Sequence, residues 1–309
     1  MKRALIATVF NEADNITRWW NCLLAQTVAP DEIVIVDGGS TDGTWEKLQE
    51  LAGAAKTSVR LDRRRCNIAE GRNLAIQLAS ADIIASTDAG SFPAPDWFAE
   101  ITRPLLDDPT VDVTGGPCPR SAAYDFRRYL EQFEPPVDPN VIPKGEIHPS
   151  SRNTAFRRSA WADAGGYPEW LTLTAEDALF TAGLHKIGKK FHYTPKAVVE
   201  WLGAPDAPSY FKMLHRYGFG SAEARLHAEY FLQRLAITVF PFLLLFSRWR
   251  FSHLAFRYRK NFSSAAGWLA GMVTGHRPPP GWKRIDGIFL SPEAQRAAGA
   301  PVAPGANPV

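Results

Sequence analysis

Cysteine is scarce in this chain, and its scarcity excludes two kinds of structural support. The 309 residues include only Cys22, Cys66 and Cys118, an odd number at scattered positions. Neither a disulfide framework nor a zinc site follows from such a set, so we expect a reducing, cytoplasmic compartment. A strand-like segment begins almost directly after Met1, and we therefore expect no signal peptide.

Two nucleotide-binding motifs and a long apolar run are also absent. No Gly-x-Gly-x-x-Gly follows the first predicted strand, and no Gly-Lys-Ser/Thr loop occurs anywhere. These absences argue against a dinucleotide-dependent enzyme and against a nucleotidyltransferase on a similar sheet. The apolar run at residues 235–246 is too short to span a bilayer, which takes about 20 residues.

The chain does contain a series of short, mostly apolar runs, each followed by an acidic side chain. The runs occupy residues 4–9, 33–36 and 83–87. Such runs are typical of strands buried on both faces of a parallel sheet, and helical patterns lie between them. The alternation predicts an α/β protein built from right-handed βαβ units. Because ligands bind at the carboxyl ends of such strands, we expect Glu12, Asp37 and Asp88 to converge on one crevice.

A pair of carboxylates, Glu176 and Asp177, stands where a further helix is predicted to begin. It follows the Gly165-Gly166-Tyr167 turn and precedes an apolar helical stretch. A helix N-terminus favours negative charge, and paired carboxylates there can perform acid/base chemistry. Taken alone, such a pair is more often a helix cap.

Taken together, these motifs resemble family 2 glycosyltransferases of the GT-A fold over roughly residues 3–220. The matching segments are Thr8-Val9-Phe10-Asn11-Glu12, Val36-Asp37-Gly38-Gly39-Ser40-Thr41-Asp42-Gly43-Thr44, Ala69-Glu70-Gly71-Arg72-Asn73, Thr87-Asp88-Ala89-Gly90, Asn153-Thr154-Ala155-Phe156-Arg157, Gly165-Gly166-Tyr167 and Glu176-Asp177. The resemblance implies a Rossmann-like, mostly parallel sheet flanked by helices. It also implies transfer of a sugar from a nucleotide sugar to an acceptor hydroxyl, with inversion at the sugar carbon.

The resemblance assigns the donor to residues at the strand ends. Thr8 and Phe10 would wall the base, Asp37 would accept a hydrogen bond from it, and Glu12 would hold the ribose or orient its loop. Arg72 would meet the diphosphate, since a guanidinium matches phosphate oxygens. Each has a plainer interpretation: a turn for Asp37, core for Phe10, a helix cap for Glu12 and a solvated helix face for Arg72.

Asp88 is the implied ligand of a divalent cation and of the ribose. The family motif is Asp-x-Asp, whereas this chain has Asp88-Ala89-Gly90 and lacks the second carboxylate. Mg²⁺ or Mn²⁺ can take most of its oxygen ligands from water and phosphates, so one carboxylate can suffice. We expect weak cation binding in the absence of nucleotide.

The same resemblance implies that Asp177 removes the proton of the acceptor hydroxyl, while Glu176 positions its surroundings. Asn153 and Trp170 could line the acceptor side of the cleft, with packing in the core an equal alternative. We expect the Pro-rich segment 125–151 to be a long loop over the donor. The Gln-x-x-Arg-Trp motif of processive synthases is absent, which favours transfer of a single sugar.

The donor, acceptor and activity keep some alternatives. A UDP-sugar is the default donor implied by Asp37, although relatives use GDP or dTDP, and the acceptor would be a glycan or a lipid-linked sugar. A non-catalytic nucleotide-sugar binding protein on the same fold is the rival interpretation, suggested by the missing carboxylate of Asp88-Ala89-Gly90. The intact Glu176-Asp177 pair argues against it.

The C-terminal part of the chain is strongly basic and aromatic. No Asp or Glu occurs between Tyr230 and Ile285, whereas nine Lys or Arg do, so the net charge of +3 leaves −6 for the remainder. The apolar run at 235–246 favours an anionic membrane surface over nucleic acid as the partner. A hydrophobic helix packed on the catalytic domain is the alternative.

These observations define three expected regions. Residues 1–225 would form the catalytic domain, and residues 226–290 a helical extension at the cytoplasmic face of a membrane. Residues 291–309, rich in Ala, Pro and Gly, would be a disordered tail.

Overall fold

The computed structural model describes residues 1–55, 57–134, 138, 145–246 and 253–299. The strands are β1 (Arg3–Val9), β2 (Glu32–Asp37), β3 (Val59–Arg63), β4 (Ile83–Ser86), β5 (Ser91–Pro93), β6 (Val113–Gly115), β7 (Thr154–Arg157), β8 (Phe191–Tyr193), β9 (Val199–Trp201), β10 (Lys283–Ile285) and β11 (Ile288–Leu290). The helices are α1 (Ile16–Leu24), α2 (Thr44–Gly53), α3 (Ile68–Leu78), α4 (Trp97–Asp107), α5 (Phe126–Leu130), α6 (Arg158–Ala164), α7 (Glu176–Lys186), α8 (Ala207–Glu223), α9 (Ala228–Val239), α10 (Leu254–Thr274) and α11 (Pro292–Ala297), with a 3₁₀ segment at Pro241–Phe246.

A seven-stranded sheet in the order β3-β2-β1-β4-β7-β6-β8 forms the centre of the molecule. The strands β3, β2, β1 and β4 are parallel, whereas β7 runs antiparallel to both of its neighbours. The predicted mostly parallel sheet is therefore confirmed. Two small sheets, β5-β9 and β10-β11, are added to it.

Successive residues of the central strands enter two different cores. Leu5 and Ile33 pack with α1 and α4 on one face, while Ile6 and Val34 pack with α3 and α6 on the other. A strand covered on both faces has no polar face, which explains the continuous apolar runs in the sequence.

The parallel register brings the functional strand ends to one edge of the sheet. Val9 pairs with Asp37, and Ile6 pairs with Ser86, two residues before Asp88. This register brings Glu12 and Asp88 to one crevice as expected, whereas Asp37 does not line it.

The C-terminal helices pack closely on α8, which we had assigned to the catalytic domain. A Cβ atom at Gly267 of α10 would lie 1.9 Å from the carbonyl oxygen of His215, and one at Gly218 would lie 2.3 Å from that of Ser264. Only glycine permits backbones to approach this closely. None of the helices in the described ranges combines the length and the apolar character needed to cross a membrane.

The prediction of a disordered tail from residue 291 is wrong for its first part. Helix α11 follows Ser291, whose hydroxyl accepts a hydrogen bond from Ala294 N and donates one to the carbonyl of Ala164. Gln295 is fully buried. The Ala-rich composition suggested disorder, but a Ser cap and packing on α6 stabilise a short helix here. Residues 300–309 lie outside the described residues.

Candidate active site

A cleft of about 1100 Å³ opens at the carboxyl ends of β1 and β4 and extends to α7 and α8. Seven of the ten predicted site residues line it: Thr8, Phe10, Glu12, Arg72, Asp88, Glu176 and Asp177. Asp37, Asn153 and Trp170 are not among its lining residues.

Phe10 presents a free aromatic face at the mouth of the cleft. Its side chain is 58% exposed, so the core interpretation is wrong. The next residue, Asn11, holds the loop in place: its backbone is left-handed (φ 54°), its N–H donates to Ser40, and its side chain accepts from Thr41 N. An aromatic ring left exposed beside a polar cleft is suited to stacking on a planar ligand.

Thr8 and Glu12 line the cleft on either side of Phe10. A Cβ atom at Gly71 would lie 2.5 Å from the side chain of Thr8, so α3 is seated directly against the end of β1. The Glu12 carboxylate lies 3.5 Å from the Asn15 amide and caps no backbone N–H of α1. Burial, with the neighbouring negative charges of Asp88 and Asp42, raises the pKa of Glu12.

Asp37 serves the turn after β2, in agreement with its plainer interpretation, and its role in donor binding stays a prediction. Its Oδ1 accepts hydrogen bonds from Gly39 N and from both the N–H and the hydroxyl of Ser40. Its Oδ2 lies 3.4 Å from Arg63 Nε, across the β2-β3 pairing. The carboxylate is fully buried and organises the loop beside Phe10.

Arg72 is a buried bridge between carboxylates and differs from both interpretations of the sequence. It lies within α3 and is 1% exposed, so it is not a solvated side chain. One terminal nitrogen donates to Asp88 at 2.8 Å and the other donates to Glu176. Burial opposes the charge of Arg72, but these two carboxylates raise its pKa. Its charge is therefore already matched within the protein.

The start of α7 is fixed by an unusual backbone. Ala175, the residue before the helix, is left-handed (φ 75°), a conformation that costs a residue with a side chain about 1–2 kcal/mol. Glu176 is buried in its ion pair with Arg72, and burial together with the charge of Asp177 raises the pKa of Glu176. Strain of this kind is often retained at functional sites.

Asp177, the second residue of α7, turns its carboxylate into the cleft. Its Oδ1 accepts from the N–H of Ala178 at 2.8 Å. Its Oδ2 has only long contacts, 3.4 Å to the Ser150 hydroxyl and 3.3 Å to Ser151 N. A half-buried carboxylate with one weakly engaged oxygen can accept a proton from a bound hydroxyl.

Two sites could hold a divalent cation. Asp88 uses Oδ1 for Arg72, which leaves Oδ2 as the oxygen that could bind a cation. One carboxylate fits a cation that takes its other ligands from phosphates and water. Glu146, His148 and His185 form a second cluster, with ligand atoms within 4.8 Å of one another, but it does not line the cleft.

Asn153 and Trp170 are packing residues, so their assignment to the acceptor side is wrong. The Asn153 amide donates to the carbonyls of Pro117 and Ala197 and accepts from the indole of Trp97. Trp170 packs edge-on against Trp282 and Phe289 at the β10-β11 hairpin. Long-range partners of this kind leave no local sequence signal.

Several cleft residues were not singled out from the sequence. Arg152 and Trp201 lie beside the carboxylates, and Lys212, Arg216 and Tyr217 project from α8. The segment expected to be a loop over the donor contains α5, and its Ser150 and Ser151 contact the Asp177 carboxylate. Residues 135–137 and 139–144 of this segment lie outside the described residues.

A mostly parallel sheet with carboxylates at its strand ends and at the start of a facing helix defines a glycosyltransferase of the GT-A type. The chain belongs to glycosyl transferase family 2, whose model matches residues 4–164. An O-antigen chain rhamnosyltransferase of Salmonella typhimurium is 26% identical over 209 residues, 64% of this chain and 66% of that protein. The chain thus covers slightly less than two-thirds of this curated relative.

Solved structures share the fold. A mannosyltransferase from Pyrobaculum calidifontis, in complex with GDP-Man and Mn²⁺, aligns with a TM-score of 0.56 at 20% identity and covers 89% of this chain and 76% of that one. TarS of S. aureus in complex with UDP aligns with a TM-score of 0.52 at 15% identity, covering 94% of this chain and 96% of that one. At these identities the likeness concerns the fold alone.

Proposed function

We propose that this protein transfers a single sugar from a nucleoside diphosphate sugar to a hydroxyl of a cell-envelope glycan or lipid-linked acceptor, by inverting displacement. The observation that carries the proposal is the cleft itself. A free aromatic ring (Phe10), a carboxylate with one available oxygen (Asp88) and a weakly engaged carboxylate (Asp177) all line it. These are the parts needed to hold a base, a diphosphate and an acceptor hydroxyl.

In the proposed displacement, residues at the two ends of the cleft have different roles. Asp177 accepts the proton of the acceptor hydroxyl as that oxygen attacks the sugar carbon, and the bond to the diphosphate breaks. Arg72 holds Asp88 and Glu176 in fixed positions. A divalent cation held through Asp88, when bound, supplies charge that stabilises the leaving phosphate.

The names of the similar proteins support a nucleotide donor without choosing its base. The Pyrobaculum structure contains GDP-Man, and the TarS structure contains UDP. We retain a UDP-sugar as the default donor. The rival function, binding of a nucleotide sugar without transfer, is disfavoured by the strained backbone that presents Glu176 and Asp177.

The second part of the proposal is contact with an anionic membrane surface, at the cytoplasmic face of that membrane. Ten of the fifteen large apolar side chains exposed in the described residues lie between positions 230 and 273. Nine of them belong to α9, the 3₁₀ segment and α10, and Phe240 joins α9 to the 3₁₀ segment. No acidic residue occurs between positions 230 and 273. Apolar side chains flanked by cations favour an interfacial position on anionic lipid.

The experiment that tests the proposed function combines binding and turnover. Thermal unfolding is measured with UDP-, GDP- and dTDP-sugars, each with and without Mn²⁺, because a ligand of the folded state raises Tm. We expect one donor class to raise Tm, more so with Mn²⁺, and to release nucleoside diphosphate slowly in the absence of acceptor. Phe10→Ala should abolish the shift, whereas the exposed Leu106→Ala should not. No shift with any donor would refute the proposed function.

A further inference from the structure

Arg152 lines the cleft, and its guanidinium is in direct contact with no carboxylate of the described part of the chain. Its Nε is buried without a hydrogen bond, and the guanidinium forms no hydrogen bond or ion pair with any residue in the described ranges. The guanidinium carbon lies 4.5 Å from the centre of the Trp201 ring. A largely buried charge without a partner is unfavourable, so its place suggests a ligand of opposite charge.

The backbone around Arg152 is held rigidly on both sides. The preceding residue, Ser151, donates its N–H toward Asp177. The following residue, Asn153, is fully buried and anchored by three hydrogen bonds to Trp97, Pro117 and Ala197. The amide that we first assigned to the acceptor thus fixes the segment that carries Arg152. Such preorganisation is expected where a side chain must meet a developing charge.

Two carboxylates act on the charge of Arg152: Asp88, the candidate cation ligand, and Asp177, the candidate catalytic base. Burial opposes its charge, but Tyr217, Asp88 and Asp177 raise the pKa of Arg152. From the sequence we had assigned Arg72 to the diphosphate, but Arg72 is already bound to Asp88 and Glu176. The variant Asp88-Ala89-Gly90 motif also offers one carboxylate fewer for a cation.

We propose that Arg152, stacked on Trp201, binds the diphosphate of the donor and neutralises the leaving group. This inference rests on the proposed function and deepens it, because it identifies the protein group that stabilises the departing charge. A guanidinium offers paired N–H donors to phosphate oxygens, and its aromatic support keeps the fork in one orientation. Positive charge supplied by the chain would also reduce the dependence on a divalent cation.

The test compares wild type, Arg152→Met and Arg152→Lys in calorimetric titrations with UDP, GDP, uridine and guanosine. Arg18→Met is the matched control, because Arg18 also stacks on an aromatic ring, Phe92, but does not line the cleft. We expect Arg152→Met to bind the diphosphate roughly 10- to 100-fold more weakly, with affinity for the nucleoside unchanged. Arg152→Lys should recover part of the loss, and Arg18→Met should bind as wild type does.

The possible outcomes distinguish a failure of this inference from a failure of the proposed function. If wild type binds a diphosphate and Arg152→Met binds it equally well, Arg152 has no role in donor binding, and the proposed function stands. An equal loss for diphosphate and nucleoside would show that Arg152 only supports the cleft, which also overturns the inference. If wild type binds none of the four compounds, the proposed function fails together with the inference.

Discussion

At the scale of single residues, the function of a charged side chain here depends on what has already neutralised it. Arg72 and Arg152 both line the cleft, but Arg72 is bound to two carboxylates and Arg152 to none in the described residues. The sequence suggested a diphosphate ligand at position 72 because the resemblance placed an arginine there. Our proposal gives that role to Arg152, whereas Arg72 joins Asp88 to Glu176.

Loss of Arg72 should therefore affect both stability and activity. Arg72→Met leaves Asp88 and Glu176 facing each other without their shared cation, and breaking a buried ion pair typically costs about 3–5 kcal/mol. We expect a marked fall in Tm together with loss of transfer. Arg63→Met is the comparison, since Arg63 pairs with Asp37 across neighbouring strands but is partly exposed. Equal Tm values for wild type and Arg72→Met would contradict the bridging role.

The sequence predicted the cleft residues unevenly. Phe10, Asp88 and Asp177 were found because they follow strands or open a helix, positions that topology brings together. We assigned Asp37 to the donor, but its Oδ1 accepts hydrogen bonds within a local turn. We assigned Asn153 to the acceptor because its protein partners are remote in sequence and could not be foreseen. Asn153 binds groups 36 to 56 residues away, a separation that no local pattern reveals.

At the scale of elements, Glu134 joins three separate parts of the chain. Its carboxylate accepts from the hydroxyl of Tyr210 in α8 and pairs with Lys260 of α10 and with Arg120. Burial acts to raise the pKa of Glu134, but Lys260, Tyr210 and Arg120 together lower it to about 2. The C-terminal helices are thus attached to the catalytic body by charge as well as by packing.

This attachment predicts a pH-dependent stability. A carboxylate whose pKa is lowered on folding stabilises the protein above its ordinary pKa of 4.5, and the stabilisation is lost as the pH falls from 4.5 toward 2. Glu134→Gln should lower the free energy of unfolding at pH 7 by about 1–3 kcal/mol, and Tm should fall accordingly. The difference from wild type should shrink through that window. A difference that stays constant from pH 7 to pH 3 would show that charge contributes nothing.

The elements of the sheet were predictable, whereas the C-terminal elements were not. Continuous apolar runs indicate buried parallel strands, and β1, β2 and β4 lie where these runs predict them. Helix α11 and the β10-β11 hairpin are short and depend on contacts with α6 and α7 for their stability. Composition alone gave residues 292–297 the character of a disordered tail.

At the scale of the whole molecule, the acidic catalytic body and the basic C-terminal helices form one cleft between them. Helix α8 supplies Lys212 and Arg216 to that cleft while its other contacts seat α10. The exposed apolar side chains of α9 and the 3₁₀ segment lie in the same C-terminal region. Docking of this region on a membrane would bring the cleft close to a lipid-linked acceptor.

Membrane docking predicts a specific liposome experiment. Co-sedimentation should rise with the fraction of anionic lipid and fall with added salt, because ions screen the attraction. Phe240→Ser with Phe242→Ser should abolish it, since both rings are more than half exposed. Leu24→Ser with Leu106→Ser, exposed elsewhere, is the control pair. Protein that remains in the supernatant with anionic vesicles at low salt would refute the membrane contact.

The most direct test of the whole account measures donor binding and turnover together for Asp177→Asn, with Glu176→Gln beside it. Asn keeps the shape of Asp177 but is no base, and general-base catalysis contributes about 10² to 10⁴-fold, so turnover should fall by that order. Affinity for the nucleoside diphosphate should stay close to that of wild type, because the proposed role of Asp177 concerns the acceptor hydroxyl. Near-normal transfer by Asp177→Asn with a working acceptor would contradict the mechanism.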